Sequence, residues 1–209
     1  MQRPLLYTYR RCPYAMRARM ALLQAGIAFD AQEIVLRDKP AGMLRLSPKG
    51  TVPVLVVPGG QAIDESLDIM RFAFERNDAG GWWRRAQSAG CQAFIALNDG
   101  PFKRHLDAYK YPERHPPEEG PAFHRDQAVT CLLRPLDRQL AGQPFLGGGS
   151  PCAADLAIFP FVRQFRAVDE RWFDAQALGA TQQWLQGWLQ SELFQRCMKK
   201  LTVGAVAEF

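Results

Sequence analysis

The chain changes its pattern once, near residues 77–81, and this change limits the folds it can adopt. Before it, short aliphatic and aromatic runs alternate with stretches of helical spacing, whereas after it every regular segment has helical spacing. A chain of 209 residues is long enough for one large domain or two small ones. We therefore predict an α/β domain over residues 1–77 followed by an all-α domain over residues 82–209.

The first part of the chain predicts the element order βαβαββα. The run Leu5–Tyr9 suits a buried strand, and a helix should begin at Pro13, because a proline is tolerated where the backbone N–H has no intrahelical partner. The remaining elements are strands at Ala28–Val35, Val52–Val57 and Gln61–Ile63, a short helix at Lys39–Leu46, and an amphipathic helix capped by Asp64-Glu65-Ser66.

The second part predicts helices joined by loops. A helix from Trp83 to Tyr111 should be interrupted at Gly100-Pro101, since proline lacks the N–H that an inner turn needs. Arg114–Pro121 contains three prolines and a glycine, which indicates a loop. Further helices are expected at Phe123–Leu140, Ala154–Val168, Thr181–Leu189 and Glu192–Leu201.

Charge and composition narrow the possible partners. The chain carries 26 Lys and Arg against 21 Asp and Glu, a net charge of +5. Residues 1–76 hold 11 of the basic and 7 of the acidic residues, a surplus of 11 − 7 = +4 without basic runs. This surplus suits a small anion and does not indicate nucleic acid.

Cysteine usage and hydropathy indicate in which cellular compartment the protein is expected. The five cysteines are scattered and odd in number, with no Cys-x-x-Cys pair, so we expect neither a disulfide framework nor a metal site. The N-terminal residues lack the apolar core of a signal peptide, and no apolar run approaches the length of a membrane span. We expect a cytoplasmic protein without membrane contact.

Cys12 is the candidate catalytic residue, because it lies between a predicted strand and the helix that follows. The positive end of a helix favours a thiolate, and Arg10, Arg11 and Arg17 would act in the same direction if they lie close. Position 15 is alanine, so the first turn has no second thiol to resolve a mixed disulfide. The pattern favours monothiol chemistry with an external thiol such as glutathione.

Three motifs in order carry a family resemblance. Cys12-Pro13-Tyr14-Ala15, Ser47-Pro48-Lys49-Gly50 with Thr51-Val52-Pro53, and Asp64-Glu65-Ser66 resemble the glutathione S-transferase superfamily, above all its cysteine-type members such as omega-class and glutaredoxin-like transferases. The resemblance extends over the second part through the segment that begins Ala154-Asp155. It implies a thioredoxin-like first domain that binds glutathione as a co-substrate, with no metal.

The resemblance also implies roles for single residues. The proline of Val52-Pro53 should follow a cis peptide bond, Ser66 should bind the γ-glutamyl carboxylate, and Glu65 the ammonium. Asp155 should be a structural helix cap, although Cys152 stands where the family usually has Ser or Thr. The predicted glutathione-binding residues are Tyr14, Lys39, Thr51, Val52, Pro53, Glu65 and Ser66, and the predicted acceptor-pocket residues are Phe94, Asn98, Tyr109 and Tyr111. His105, His115 and His124 show no catalytic or metal spacing.

Three functions remain open on the sequence. The first is a glutathione-dependent thiol transferase or reductase that uses Cys12 as the nucleophile and acts on a small disulfide substrate. The second is a transferase that conjugates glutathione to a small electrophile, for which Tyr7 or Tyr9 on the first strand would be candidates. The third is a non-catalytic binding protein with the same fold. Most members of the superfamily pair in two-fold dimers, whereas some glutaredoxin-like members are monomers. The sequence does not decide between them, and we expect a homodimer.

Overall fold

A computed structural model describes residues 2–115 and 119–209. The predicted loop Arg114–Pro121 therefore lies partly outside the described residues. The backbone contacts divide the chain into two compact units, one formed by Met1–Trp83 together with Gln190–Phe209 and the other by Arg84–Leu189. The predicted domain limits, 1–77 and 82–209, remain a prediction.

The first unit is an α/β unit built on one sheet, as the sequence predicts. Its strands are β1 (Leu5–Thr8), β2 (Asp30–Glu33), β3 (Val54–Val56), β4 (Ala62–Ile63) and β5 (Val206–Glu208). Its helices are α1 (Pro13–Gln24), α2 (Ala41–Leu46), α3 (Ser66–Arg76) and α12 (Glu192–Cys197). Up to α3 the observed order is the predicted βαβαββα.

The five strands lie in the order β4-β3-β1-β2-β5. The central strand β1 runs parallel to β2 and antiparallel to β3, so that Leu6 faces Ala31 on one side and Leu55 on the other. These three residues are fully buried. Helices α1 and α3 pack against each other, and the buried side of α1 includes Met16 and Met20.

Strand β5 was not predicted, because residues beyond 201 show no strand pattern. It pairs antiparallel with β2, and Ala207 faces Ala31. The Phe209 ring stacks on the buried Phe29 ring at a centroid distance of 5.0 Å, and Phe209 N–H donates to Phe29 O at 3.1 Å. The last segment of the chain therefore belongs to the sheet of the first unit.

The second unit is helical, as predicted. Its helices are α4 (Trp82–Ala86), α5 (Ala89–Leu97), α6 (Lys103–Lys110), α7 (Pro121–Ala128), α8 (Arg134–Ala141), α9 (Ala153–Arg166), α10 (Glu170–Asp174) and α11 (Gly179–Gln190). The first two residues of α4 and the last of α11 fall within the first unit. Among the described residues, no helix combines the length and the apolar character that a membrane span needs.

Two turns of π-helix interrupt the long helices of this unit. One covers Asn98–Phe102 and contains Pro101, which agrees with the predicted interruption. The other covers Val129–Leu133, just before Pro135 in the first turn of α8, where the sequence predicted one continuous helix. A proline has no N–H to donate, and its ring clashes with the carbonyl oxygen four residues before it. The helix therefore changes to the wider π-helical form near these two prolines.

Asp155 organises the start of α9, as predicted for a structural cap. Its carboxylate accepts hydrogen bonds from Leu146 N–H at 3.0 Å, from Cys152 N–H at 2.8 Å and from the Trp184 indole at 2.9 Å. Burial raises the pKa of the carboxyl group, and the three donors act against that rise. The carboxylate of Asp155 caps the helix and also joins α9 to α11 and to the loop before it.

The three histidines of the chain lie together, although nothing in their spacing predicts it. The Nδ1 atoms of His105 and His124 are 3.0 Å apart, and His124 Nε2 lies 3.6 Å from a Glu119 carboxylate oxygen. The His115 ring is 6.2 Å from the His124 ring. Burial, then the charges of His124 and Arg104, lower the pKa of His105, which favours the neutral form of this imidazole between α6 and α7.

We expect Phe209→Ala to lower the free energy of unfolding by about 2 kcal/mol, because the variant loses a partly buried ring stacked on Phe29. Val206→Ala is the matched control on the same strand, since Val206 is 56% exposed and its loss should change stability by less than about 0.5 kcal/mol. Urea unfolding followed by circular dichroism measures both. Equal effects of the two substitutions would contradict this role of β5.

The His105 environment predicts a pH dependence of stability. Its pKa is lower in the folded chain than in the unfolded chain, so below about pH 6.5 the unfolded chain takes up the proton more readily. The free energy of unfolding should therefore fall as the pH decreases through 6.5, and His105→Gln should reduce that slope. Urea unfolding at pH 5.5 and 7.5 measures this slope in the wild-type chain and in His105→Gln. An unchanged slope in His105→Gln would refute the assignment.

Candidate active site

Cys12 occupies the N-cap of α1, directly after β1 and one residue before Pro13. Its carbonyl oxygen accepts the Met16 N–H at 2.9 Å, which closes the first turn of the helix. Its side chain is half-buried, and its Sγ lies 3.7 Å from Val52 O. The thiol thus sits where the unpaired amide groups at the helix start favour a negative sulfur.

The segment before β3 lies beside this thiol, because β3 runs antiparallel to β1 and Val54 pairs with Tyr7. The Val52–Pro53 peptide bond is cis, as the family resemblance implies. The side chain of Val52 is buried in a cluster with Tyr7 and Val54. Within the described residues the Val52 N–H forms no hydrogen bond.

An acidic pair precedes α3 and is held by Lys49. The Lys49 ammonium lies 3.2 Å from Asp64 Oδ1 and 2.5 Å from Glu65 Oε1. Ser47 Oγ donates to Asp64 Oδ2 at 2.7 Å, and this bond, together with Lys49, lowers the pKa of the Asp64 carboxyl. The hydrogen bond to Glu65 raises the pKa of Lys49. Lys49 therefore stays charged and joins the turn before β3 to the start of α3.

Ser66 is the first residue of α3 and is 4% exposed. Its Oγ accepts a hydrogen bond from Arg17 Nη1 at 3.2 Å. Arg17 itself is fully buried on α1, five residues after Cys12. The start of α3 is thus bonded to the helix that Cys12 caps.

These segments surround one cleft with a volume of about 620 Å³. Every residue that lines it belongs to the first unit. The lining residues are Tyr9, Cys12, Tyr14, Leu36, Lys39, Lys49, Gly50, Thr51, Val52, Pro53, Asp64, Glu65 and Ser66. All eight residues predicted as the nucleophile or as glutathione ligands are in this set.

Of the remaining lining residues, only Tyr9 was considered from the sequence, as a candidate for the conjugating function; Leu36, Lys49, Gly50 and Asp64 were not predicted to contribute to the site. Lys49 and Asp64 belong to the motifs that carry the family resemblance. Their opposite charges could have been used to predict that they contribute to the site. Gly50 has a φ of +62°, and a Cβ there would lie 3.3 Å from Lys39 Nζ, so the Lys39 ammonium lies close over this turn. The Tyr9 hydroxyl accepts a hydrogen bond from Arg11 Nη2 at 2.8 Å.

The four predicted acceptor-pocket residues lie in the second unit. Phe94 is half-buried on α5, and Asn98 is fully buried with its amide donating to Asp99 at 2.8 Å. The Tyr109 ring packs on Phe165 at 5.4 Å, and burial raises the pKa of its hydroxyl. The Tyr111 ring is contacted by two cations, Lys110 and Arg114. Their part in an acceptor pocket remains a prediction.

The described part of the chain holds no candidate metal site. No group of three or more His, Cys, Asp or Glu residues in that part could hold a metal ion. The nearest approach of two thiols that the structure records is Cys91 to Cys152, with the sulfur atoms 3.9 Å apart.

Comparison with known proteins identifies the family. Residues 6–81 match the family model of the glutathione S-transferase N-terminal domain, and residues 127–187 match that of the C-terminal domain. The first match falls in the first unit and the second match in the second unit. The chain belongs to the glutathione S-transferase superfamily.

Individual relatives agree with this assignment. A probable glutathione S-transferase, BZ2 from Zea mays, is 29% identical over 178 residues, which are 75% of this chain and 72% of that protein. Glutathione S-transferase omega-1 from Mus musculus is 37% identical over 62 residues, 30% of this chain and 26% of that protein. The chain matches 30% and 62% of the lengths of two other curated relatives.

A solved structure with the same fold is a glutathione transferase from Pseudomonas putida with one glutathione disulfide bound per subunit. Its TM-score is 0.78 at 21% identity, and the alignment covers 94% of this chain and 91% of that chain. At this identity the likeness concerns the fold.

The site predicts which thiol reacts first with an alkylating reagent. Cys12 faces the cleft at a helix start, whereas burial raises the pKa of Cys131, the other half-buried thiol. Cys91 is 4% exposed, so a reagent cannot reach it although a hydrogen bond from Cys152 lowers its pKa to about 6. Iodoacetamide at pH 7, with peptide mapping by mass spectrometry, should modify Cys12 about tenfold faster than Cys131. A faster Cys131 would contradict this picture of the site.

Proposed function

We propose that the protein is a glutathione-dependent thiol transferase of the cysteine type, with Cys12 as its nucleophile. The observation that carries this proposal is the position of the Cys12 thiol, which caps α1 inside a cleft of about 620 Å³. The residue three positions further, where a dithiol enzyme would have its second cysteine, is the buried Ala15. An external thiol must therefore complete the reaction.

The proposed reaction proceeds in two exchanges. The Cys12 thiolate attacks the glutathionyl sulfur of a mixed disulfide, so that a new S–S bond forms to glutathione and the other half leaves as a thiolate. The thiolate of a second glutathione then attacks the glutathionyl sulfur on Cys12, which releases glutathione disulfide and restores the Cys12 thiolate. Electrons and sulfur atoms balance without a further cofactor.

Glutathione is the ligand whose shape and charges fit the lining residues. In this proposal the Val52 N–H and C=O pair with the cysteinyl part as an added strand would, flanked by Thr51 and Pro53. The amide groups at the start of α3, together with the Ser66 hydroxyl, take the γ-glutamyl carboxylate. Glu65, which also binds Lys49, takes the ammonium.

Two further residues would complete the binding of glutathione. The Lys39 ammonium would face the glycyl carboxylate, since it lies over Gly50 at the edge of the cleft. The ring of Tyr14, in the first turn of α1, would contact the ligand next to Cys12. The glutathione disulfide in the Pseudomonas putida transferase and the omega-1 relative support this choice of ligand and subtype.

A conjugating transferase is the second candidate, and one observation favours it. Tyr9 lines the cleft, and its hydroxyl accepts a hydrogen bond from Arg11. In that mechanism the protein would stabilise the thiolate of glutathione itself, which then adds to an electrophile. A homodimer remains a prediction for either candidate.

Replacing the thiol separates the two candidates. Cys12→Ser should lower the turnover of a glutathionylated small disulfide by at least about 10³-fold, because a hydroxyl cannot form the mixed disulfide. Cys131→Ser, which changes a half-buried thiol of the other unit, is the matched control and should retain full turnover. The measurement is a coupled assay of glutathione disulfide release, run in parallel with a chlorinated aromatic electrophile.

The outcomes assign the function. If Cys12→Ser still turns over the disulfide, Cys12 is not the nucleophile. Conjugation that persists in that variant, with no disulfide turnover in either protein, would make the chain a conjugating transferase. The absence of both activities, with no binding of glutathione, would favour a non-catalytic member of the superfamily.

A further inference from the structure

Two buried thiols of the helical unit lie in contact. Cys91 is in the first turn of α5, and Cys152 is the N-cap of α9. Their sulfur atoms are 3.9 Å apart, although the residues are 61 positions apart in the sequence. Cys91 is 4% exposed and Cys152 is fully buried. The packing of α5 on α9 brings the two thiols together.

The positions of the two thiols allow a bond between them. A disulfide bond has its sulfur atoms about 2.05 Å apart, so the two atoms must approach each other by about 1.9 Å in total. Both residues are at helix starts, where the backbone has fewer intrahelical hydrogen bonds than in the middle of a helix. The backbone can therefore follow the sulfur atoms at lower cost than it could inside a helix.

The two thiols differ in how well they carry a negative charge. The Asp155 carboxylate accepts the Cys152 N–H at 2.8 Å, so a second negative charge on the Cys152 sulfur is disfavoured. The hydrogen bond with Cys91, burial and the charge of Asp155 raise the pKa of Cys152, whereas the hydrogen bond from Cys152 lowers the pKa of Cys91 to about 6. Cys91 is therefore the thiol that reacts first with an oxidant.

A segment rich in glycine covers the pair. The Cys91 thiol, when protonated, donates to Leu146 O at 3.4 Å, and a Cβ on Gly147 would lie 2.9 Å from Cys152 Cβ. The next two residues are also glycines, and a Cβ at either position would have no described neighbour within 4 Å. The segment can therefore open locally with the loss of few contacts. Hydrogen peroxide is much smaller than iodoacetamide and needs only such an opening.

We propose that Cys91 and Cys152 form a modification site at which hydrogen peroxide produces an intramolecular disulfide bond. The Cys91 thiolate attacks one oxygen of the peroxide, so that a sulfenic acid forms and hydroxide leaves. The Cys152 sulfur then attacks the sulfenic sulfur, the S–S bond forms and a second hydroxide leaves. The two thiol protons convert both hydroxides to water, and the two electrons that the sulfur atoms lose reduce the peroxide.

The bond would join the start of α5 to the N-cap of α9 within the helical unit. Because it links residues 61 positions apart, it restricts the unfolded chain more than the folded chain. It should therefore stabilise the protein, and a dithiol reductant should remove this gain. The inference is independent of the proposed binding of glutathione, since neither thiol lines the candidate site.

Mapping of disulfide-linked peptides by mass spectrometry tests the site. The folded chain is treated with a few equivalents of hydrogen peroxide, and its remaining thiols are then blocked with iodoacetamide in urea. Peptides joined through Cys91 and Cys152 should be at least about tenfold more abundant than any other linked pair, because the fold holds these sulfur atoms in contact. Cys91→Ala should lack this pair. Cys131→Ala, which removes another thiol of the same unit, is the matched control and should keep it.

Oxidation in urea separates the effect of the fold from that of sequence distance. Cys131 and Cys152 are only 152 − 131 = 21 positions apart. An unfolded chain closes short loops more readily, so in urea the pairing of Cys131 with Cys152 should exceed that of Cys91 with Cys152 by about fivefold. The folded chain should show the opposite preference.

Thermal unfolding followed by circular dichroism measures the effect of the bond. The midpoint of the oxidised wild-type chain should be higher than that of the reduced chain by at least about 5 °C, and dithiothreitol should reverse this rise. Cys91→Ala should show no rise after the same treatment. Where Cys91→Ala does not fold, Cys152→Ser serves instead, because serine is a favoured N-cap residue.

Three results would overturn the inference. The first is that peroxide oxidises Cys12 or Cys131 and leaves Cys91 and Cys152 as free thiols. The second is that Cys91 and Cys152 are linked no more often in the folded chain than in urea. The third is a linked pair that does not raise the midpoint, which would contradict the stabilising effect of the bond.

Discussion

The position of β1 between a parallel and an antiparallel neighbour determines the geometry of the candidate site. The C-terminal end of β1 lies beside the N-terminal end of β3, because these two strands are antiparallel neighbours. Cys12 follows the first strand and Val52 precedes the third, so 40 residues of sequence separation are reduced to a 3.7 Å contact between sulfur and carbonyl oxygen. The side chains of the site come from loops, but the pairing of the strands brings those loops together.

Local sequence was sufficient for the first unit up to α3. Strands β1 and β3 are mainly apolar, whereas β2 is mostly polar and buries every second residue. Helices α1 and α3 start at Pro13 and Ser66, and these signals span only a few residues. The proposed nucleophile and most of the proposed ligands belong to short motifs, whereas Lys39 lies outside them; the roles of all these residues remain predictions. The helical unit was also predictable as a class, because helical spacing continues along its length.

What sequence reasoning missed depends on contacts between distant residues. Strand β5 is three residues long and two of them are exposed, so it becomes a strand only through its pairing with β2. The histidines meet because α6 and α7 pack together, which no spacing along the chain reveals. The π-helical turn before Pro135 depends on how the helix adjusts to the missing backbone N–H of the proline. The sequence does not specify this adjustment. Composition also does not show that two of the eleven basic residues of the first part, Arg17 and Arg19, are buried.

The return of the last segment to the sheet has a consequence for the order in which the protein is made. All residues of the helical unit are synthesised before β5, which completes the sheet of the first unit. Until those final residues leave the ribosome, β2 is an edge strand and the Phe29 ring has no stacking partner from β5 or Phe209. The helical unit can therefore fold before the sheet of the first unit is complete, because β5 follows that unit in the sequence.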